Sequence, residues 1–90
     1  MADIIITFKV MPEDLEVDLK RLEKDITALI NEFGEVGKVE IEKIAFGLEA
    51  LKFLVVYDEN KGSTDFLEDN MRNIDGVNSV EVVDVRRAIG

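Results

Sequence analysis

Two kinds of hydrophobic pattern alternate along the chain, one fitting extended backbone apolar on both faces and one recurring every three or four residues. Residues 4 to 11, IIITFKVM, are of the first kind: Ile4, Ile6, Phe8 and Val10 share one face, and Ile5 and Met11 lie on the other. β-Branched and aromatic residues with apolarity on both faces predict a central strand. Pro12 then predicts a helix entry, where its fixed φ and missing N–H do least harm. Glu13 and Asp14 follow it, as the positive end of a helix dipole favours. Leu15, Leu19, Leu22, Ile26, Leu29, Ile30 and Phe33 recur at helical spacing and predict a single apolar stripe. On the opposite face Glu16 and Lys20 are spaced as an i,i+4 pair, and Gly34 marks the stop.

From Lys38 the pattern alternates, with Val39 and Ile41 pointing one way and Glu40 and Glu42 the other. That is the signature of a half-exposed edge strand. The alternation breaks at Lys43, and Ile44 and Phe46 fall in the opposite phase, which predicts a bulge or turn at 43 to 47. Leu51 to Tyr57, LKFLVVY, is a second strand apolar on both faces, followed by a polar turn, DENKG. Ser63, Thr64 or Asp65 caps a short helix with the stripe Leu67, Met71 and Ile74, and Asp65 with Glu68 has capping-box spacing. After Gly76, a strand runs from Val77 to Val85 and ends in a basic tail, Arg86 and Arg87.

The resulting order, βαββαβ, predicts an α+β ferredoxin-like sandwich: a four-stranded antiparallel sheet with two helices on one face. Right-handed crossovers place strands one and three in the middle of that sheet. These are the two strands that read as apolar on both faces. With no linker or low-complexity tract, residues 1–90 are expected to form one domain.

Charge narrows the partners. Twenty acids against 11 bases give a formal charge of −9, which opposes generic nucleic-acid binding and suits a basic protein partner. The chain has no Cys and no His. Disulfides, thiolate metal sites and cysteine nucleophiles are therefore excluded, and the commonest general base and transition-metal ligand are missing. No apolar run approaches the roughly 20 residues of a membrane span, and MADIII lacks the features of a signal peptide. A cytoplasmic protein without cofactor or metal is expected. NKGST has its Lys before its Gly, the reverse of a phosphate-binding loop, so no bound nucleotide is expected either. The acid pairs Glu40/Glu42 and Asp58/Glu59 read as solvated carboxylates, and no acid constellation marks a catalytic centre.

Copper chaperones of this fold need a Cys pair, and RNA-recognition domains need basic and aromatic residues on the open sheet face. Both are missing here. Two contact features remain. Phe46 and Gly47 form an irregular corner that reads either as a core phenylalanine at a strand end or as a partner anchor. Arg86 and Arg87 read either as a solubilising tail or as a second contact.

The runs VMP at 10 to 12, IAFGLEAL at 44 to 51, GSTDFLED at 62 to 69 and GVNSVEVVDVRR at 76 to 87 together resemble the archaeal elongation factor 1-beta family. The resemblance covers essentially the whole chain. It implies a translation factor that promotes exchange of GDP for GTP on the GTPase elongation factor 1-alpha, with a ferredoxin-like fold, no cofactor and no nucleotide of its own. It also implies that Phe46, beside Gly47, contacts the GTPase. A near-terminal lysine of the eukaryotic relatives, which reaches towards the GTPase's Mg²⁺ site, falls on Arg87. Two departures stand out: Lys43 occupies a position where the family usually has Pro, and Arg87 replaces the lysine. The rival reading is a small-molecule-sensing regulatory domain of the same fold. Such a domain would need a ligand loop, often containing glycine, between strand one and helix one, and KVMPED has no glycine.

Overall fold

A computed structural model describes residues 3–87. The elements are β1 (Asp3–Pro12), α1 (Leu19–Ile30), β2 (Glu35–Lys43), β3 (Glu49–Asp58), α2 (Asp65–Arg72) and β4 (Val77–Arg87). Short 3₁₀ turns at Ala45–Gly47 and Glu59–Lys61 flank β3. The strands form one antiparallel sheet in the order β2-β3-β1-β4. This is the expected ferredoxin-like arrangement, with β1 and β3 in the middle.

Alternation along those two strands builds the core. Ile6, Phe8 and Val10 of β1 and Leu51, Phe53, Val55 and Tyr57 of β3 are buried. Against them α1 packs Leu22, Ile26 and Ile30, and α2 packs Leu67 and Met71. Each fully buried side chain of this size stabilises the fold by about 1.5–3 kcal/mol. The other sheet face carries Ile5, Thr7, Leu54 and Val83 among charged neighbours.

Several local expectations are corrected. Pro12 does not open α1 but ends β1, opposite Val77. The helix begins at Leu19, four residues after the Leu15 with which its hydrophobic period starts, because Asp18 is the true N-cap. Its carboxylate accepts from the N–H groups of Lys20 and Arg21 at 3.0 and 3.3 Å. Residues 13–18 form a turn instead, in which the Glu16 N–H donates to Asp14 Oδ1 at 2.8 Å. Glu16 and Lys20 therefore share no helix, and Leu15 leaves the core stripe for solvent.

Gly34 does not serve as a left-handed cap. It is needed because a Cβ there would come within 2.7 Å of the Val56 carbonyl oxygen. The irregularity expected at 43–47 is a turn, Ala45–Gly47, and β2 carries a separate register shift between Val36 and Lys38, where Gly37 is the unpaired residue. In α2, Thr64 occupies the N-cap without a side-chain bond, so the Asp65/Glu68 box does not form. The Asp65 N–H donates to Ser63 Oγ instead, at 3.1 Å, while Glu68 faces Arg72 at 3.5 Å. β4 runs on through Arg87, so the two arginines are ladder residues opposite Ile5 and Ile4.

Candidate functional site

The β2–β3 connection is closed by a hydrogen bond from the Ile44 N–H to the Leu48 carbonyl at 2.7 Å and one from the Leu48 N–H to the Ala45 carbonyl at 3.3 Å. Closing the chain this tightly drives two consecutive residues to positive φ: Phe46 at 61° and Gly47 at 81°. Glycine adopts such a conformation freely. For a phenylalanine it costs about 1–2 kcal/mol. The strained residue is also the most exposed large apolar side chain described, with 94% of its surface open to solvent. Phe46 is therefore no core residue, and the reading as a strand-end core aromatic is overturned. Lys43 ends β2 opposite Glu49, and the turn closes without the usual Pro.

A second apolar side chain stands beside it. Leu15 is 66% exposed and, with Phe46 and Leu48, lines a hollow of about 460 Å³ whose other walls are Glu13, Asp14 and Glu16. The hydrophobic period hid this residue, because Leu15 is in phase with Leu19 and Leu22. The signal that could have found it is Asp18, a strong N-cap residue that starts the helix after Leu15.

The arginines lie at the other end of the sheet. Arg87 is opposite Ile4, whereas the 45–47 turn lies beyond the Lys43–Glu49 pair, so about eight ladder positions, or roughly 25 Å, separate them. The predicted contact residues thus form two sites and not one. Arg86 pairs with Asp84 at 2.9 Å and Arg87 with Glu59 at 3.4 Å. Both are ladder residues of β4 and so no frayed end, while their side chains stay exposed at 77% and 76%; the rest of the predicted tail, 88 to 90, lies outside the described residues.

On the open sheet face, Glu42 sits between Lys9 at 2.9 Å and Lys52 at 3.6 Å. The hydrogen bond and charge of Lys9, with help from Lys52, hold its carboxyl below the ordinary value of 4.5. Glu40 pairs with Lys38 at 3.4 Å. Among the described residues no group of three or more acids could hold a metal ion, and no helix is long and apolar enough to cross a membrane. At the β1–α1 turn, where a small-molecule sensor would hold its ligand, the inner hollow between Pro12, Asp14 and Leu19 measures about 50 Å³, and the larger one is the open, acid-lined hollow beside Phe46. Ligand pockets run to about 300 Å³ and above.

Comparisons with known proteins agree with the fold and point to a family. The crystal structure of the ACT domain from GTP pyrophosphokinase of Chlorobium tepidum superposes with a TM-score of 0.62 over 90% of this chain and 99% of that one, at 19% identity. That likeness is one of fold. The family model for the EF-1 guanine nucleotide exchange domain matches residues 5–88. Elongation factor 1-beta of Methanothermobacter thermautotrophicus is 46% identical over 87 residues, covering 97% of this chain and 98% of that protein. The protein of the same name from Staphylothermus marinus is 40% identical over 88 residues, with 97% and 98% covered.

Proposed function

The chain belongs to the EF-1 guanine nucleotide exchange domain family, and from that premise we propose that it promotes exchange of GDP for GTP on elongation factor 1-alpha by stabilising the nucleotide-free GTPase. The mechanism is linkage. A protein that binds the empty GTPase more tightly than the loaded one lowers the affinity for nucleotide by the same factor. This needs no covalent step and no nucleotide or metal on the exchange factor.

One observation carries the reading: an aromatic ring held in solvent by a strained backbone. Exposing a phenylalanine forfeits its burial energy, and the left-handed conformation adds a further cost. Both are offset if the ring is an anchor that enters a pocket on the GTPase, as buried aromatics at interface centres do. Arg86 and Arg87 supply positive charge at the far end of the sheet, where a cation can compete with the Mg²⁺ that bridges phosphates to a GTPase. Arg87 is a planar fork and not the point charge of a lysine. In this reading its role is to contact carboxylates or phosphates of the partner, exchanging its present neighbour Glu59 for them. A GTPase that meets both ends must present surface over roughly 25 Å.

The test is release of a fluorescent GDP analogue from the purified cognate elongation factor 1-alpha, with this protein added at micromolar concentration. Release should accelerate in proportion to the added protein, and excess GDP should dissociate the complex. An unchanged release rate would overturn the proposed function.

A further inference from the structure

Resting on the exchange function proposed above, we propose that Leu15 and the acidic turn around it join Phe46 in one composite contact, two apolar prongs inside a ring of carboxylates. Its complement is an apolar pocket on the GTPase bordered by Lys and Arg.

Three observations carry this. Leu15 and Phe46 are the two most exposed large apolar side chains described, at 66% and 94%, and they line the same hollow although 31 positions separate them in sequence. Their neighbourhood is fixed by backbone. The Glu13 N–H donates to the Gly76 carbonyl at 2.9 Å, Asp14 closes the turn onto the Glu16 N–H, and a Cβ on Gly47 would lie 3.5 Å from Leu15 Cδ2. The charge around the prongs is of one sign. Every charged residue lining the hollow, Glu13, Asp14 and Glu16, is an acid. None of the three is among the ion-paired acids of the described residues, which are Asp25, Glu40, Glu42, Glu59, Glu68, Asp69 and Asp84.

An apolar centre with a polar, unpaired rim is the anatomy of a protein contact. Carboxylates left unpaired in the free protein favour a basic rim on the partner, chiefly by speeding encounter. The 13–18 turn thereby has a purpose that a helix starting at Pro12 would not serve: it moves Leu15 off the core stripe and sets it beside the ring.

The test measures binding to the nucleotide-free GTPase for Leu15→Ala, Phe46→Ala, the double variant, and Glu13→Gln/Asp14→Asn/Glu16→Gln. Val83→Ala, which truncates an exposed apolar residue on the open sheet face, is the control. Leu15→Ala should weaken binding about tenfold, as loss of an interface anchor does, with the melting temperature and the control unchanged. It should also weaken binding a further threefold or so in the Phe46→Ala background, because Leu15 touches the partner itself. The neutralised turn should associate more slowly at low salt, with a flatter dependence on ionic strength. Wild-type affinity for Leu15→Ala, or no additional loss in the Phe46→Ala background, would overturn the proposal while leaving the exchange function intact. A wild-type protein that neither binds the GTPase nor speeds release would overturn both. Self-association of the wild type that Leu15→Ala abolishes would assign the prongs to a second copy and also overturn it.

Discussion

Phe46 separates two requirements that usually coincide in a side chain. Its backbone is unfavourable and its ring is in solvent, so it contributes nothing to the folded state. Phe46→Gly removes the left-handed penalty while adding chain entropy to the unfolded state. The variant should melt at or above the wild type, by up to about 1 kcal/mol. Its exchange activity should fall about tenfold or more, as for an interface anchor. Phe46→Ala should lose the same activity without the relief. Thermal melting beside GDP release checks both, and a clear loss of stability in the glycine variant would mean that the ring packs on its own protein. The sequence shows the Phe-Gly irregularity, but the sign of φ is invisible to a hydrophobic pattern. Residues 44 and 46 read equally well as a phase-shifted strand end, and only the closure between Ile44 and Leu48 turns the ring outwards.

Among the elements, α1 shows how a correct period can carry a wrong boundary. Leu22, Ile26 and Ile30 are buried as their spacing requires, and Leu15 extends the same rhythm by chance. Competition between a proline start and an aspartate cap is decided by hydrogen bonds: Asp18 satisfies two N–H groups that would otherwise have no partner. Asp18→Ala should therefore cost about 1 kcal/mol, lowering the melting temperature by roughly 4–8 °C for a domain of this size. An unchanged melting curve would mean that the two cap bonds add nothing to stability. The strands were legible for a simpler reason. Burial on both faces leaves a run of apolar residues that few other environments produce, and β1 and β3 carry such runs. The edge strands were less so: β4 continues through two arginines because a ladder position at an edge tolerates charge, and no apolar pattern marks its end.

Across the whole molecule, the two candidate contacts stand at opposite ends of one sheet. Sites more than about 10 Å apart with no shared partners contribute independently. Phe46→Ala and Arg87→Ala should therefore weaken binding to the nucleotide-free GTPase additively, within about 0.5 kcal/mol. A titration of the single and double variants checks this, and strong coupling would mean that the ends communicate through the sheet or act on one element of the partner. The net charge of −9 surrounds both ends, and each arginine already has an acid beside it, Asp84 for Arg86 and Glu59 for Arg87.

The register of β1 against β3 has a consequence for what such a protein can sense. Sliding one strand by a single residue would turn Ile6 and Phe8 out of the core, so the ladder from Ile4 to Val10 cannot stretch or slip. The span between the Phe46 turn and Arg87 is then a fixed gauge. A flexible GTPase satisfies both jaws only in those of its conformations whose contact points lie that far apart, and binding enriches them. On the proposed function, selectivity among the partner's shapes would come from the length of a strand as well as from the chemistry at its ends.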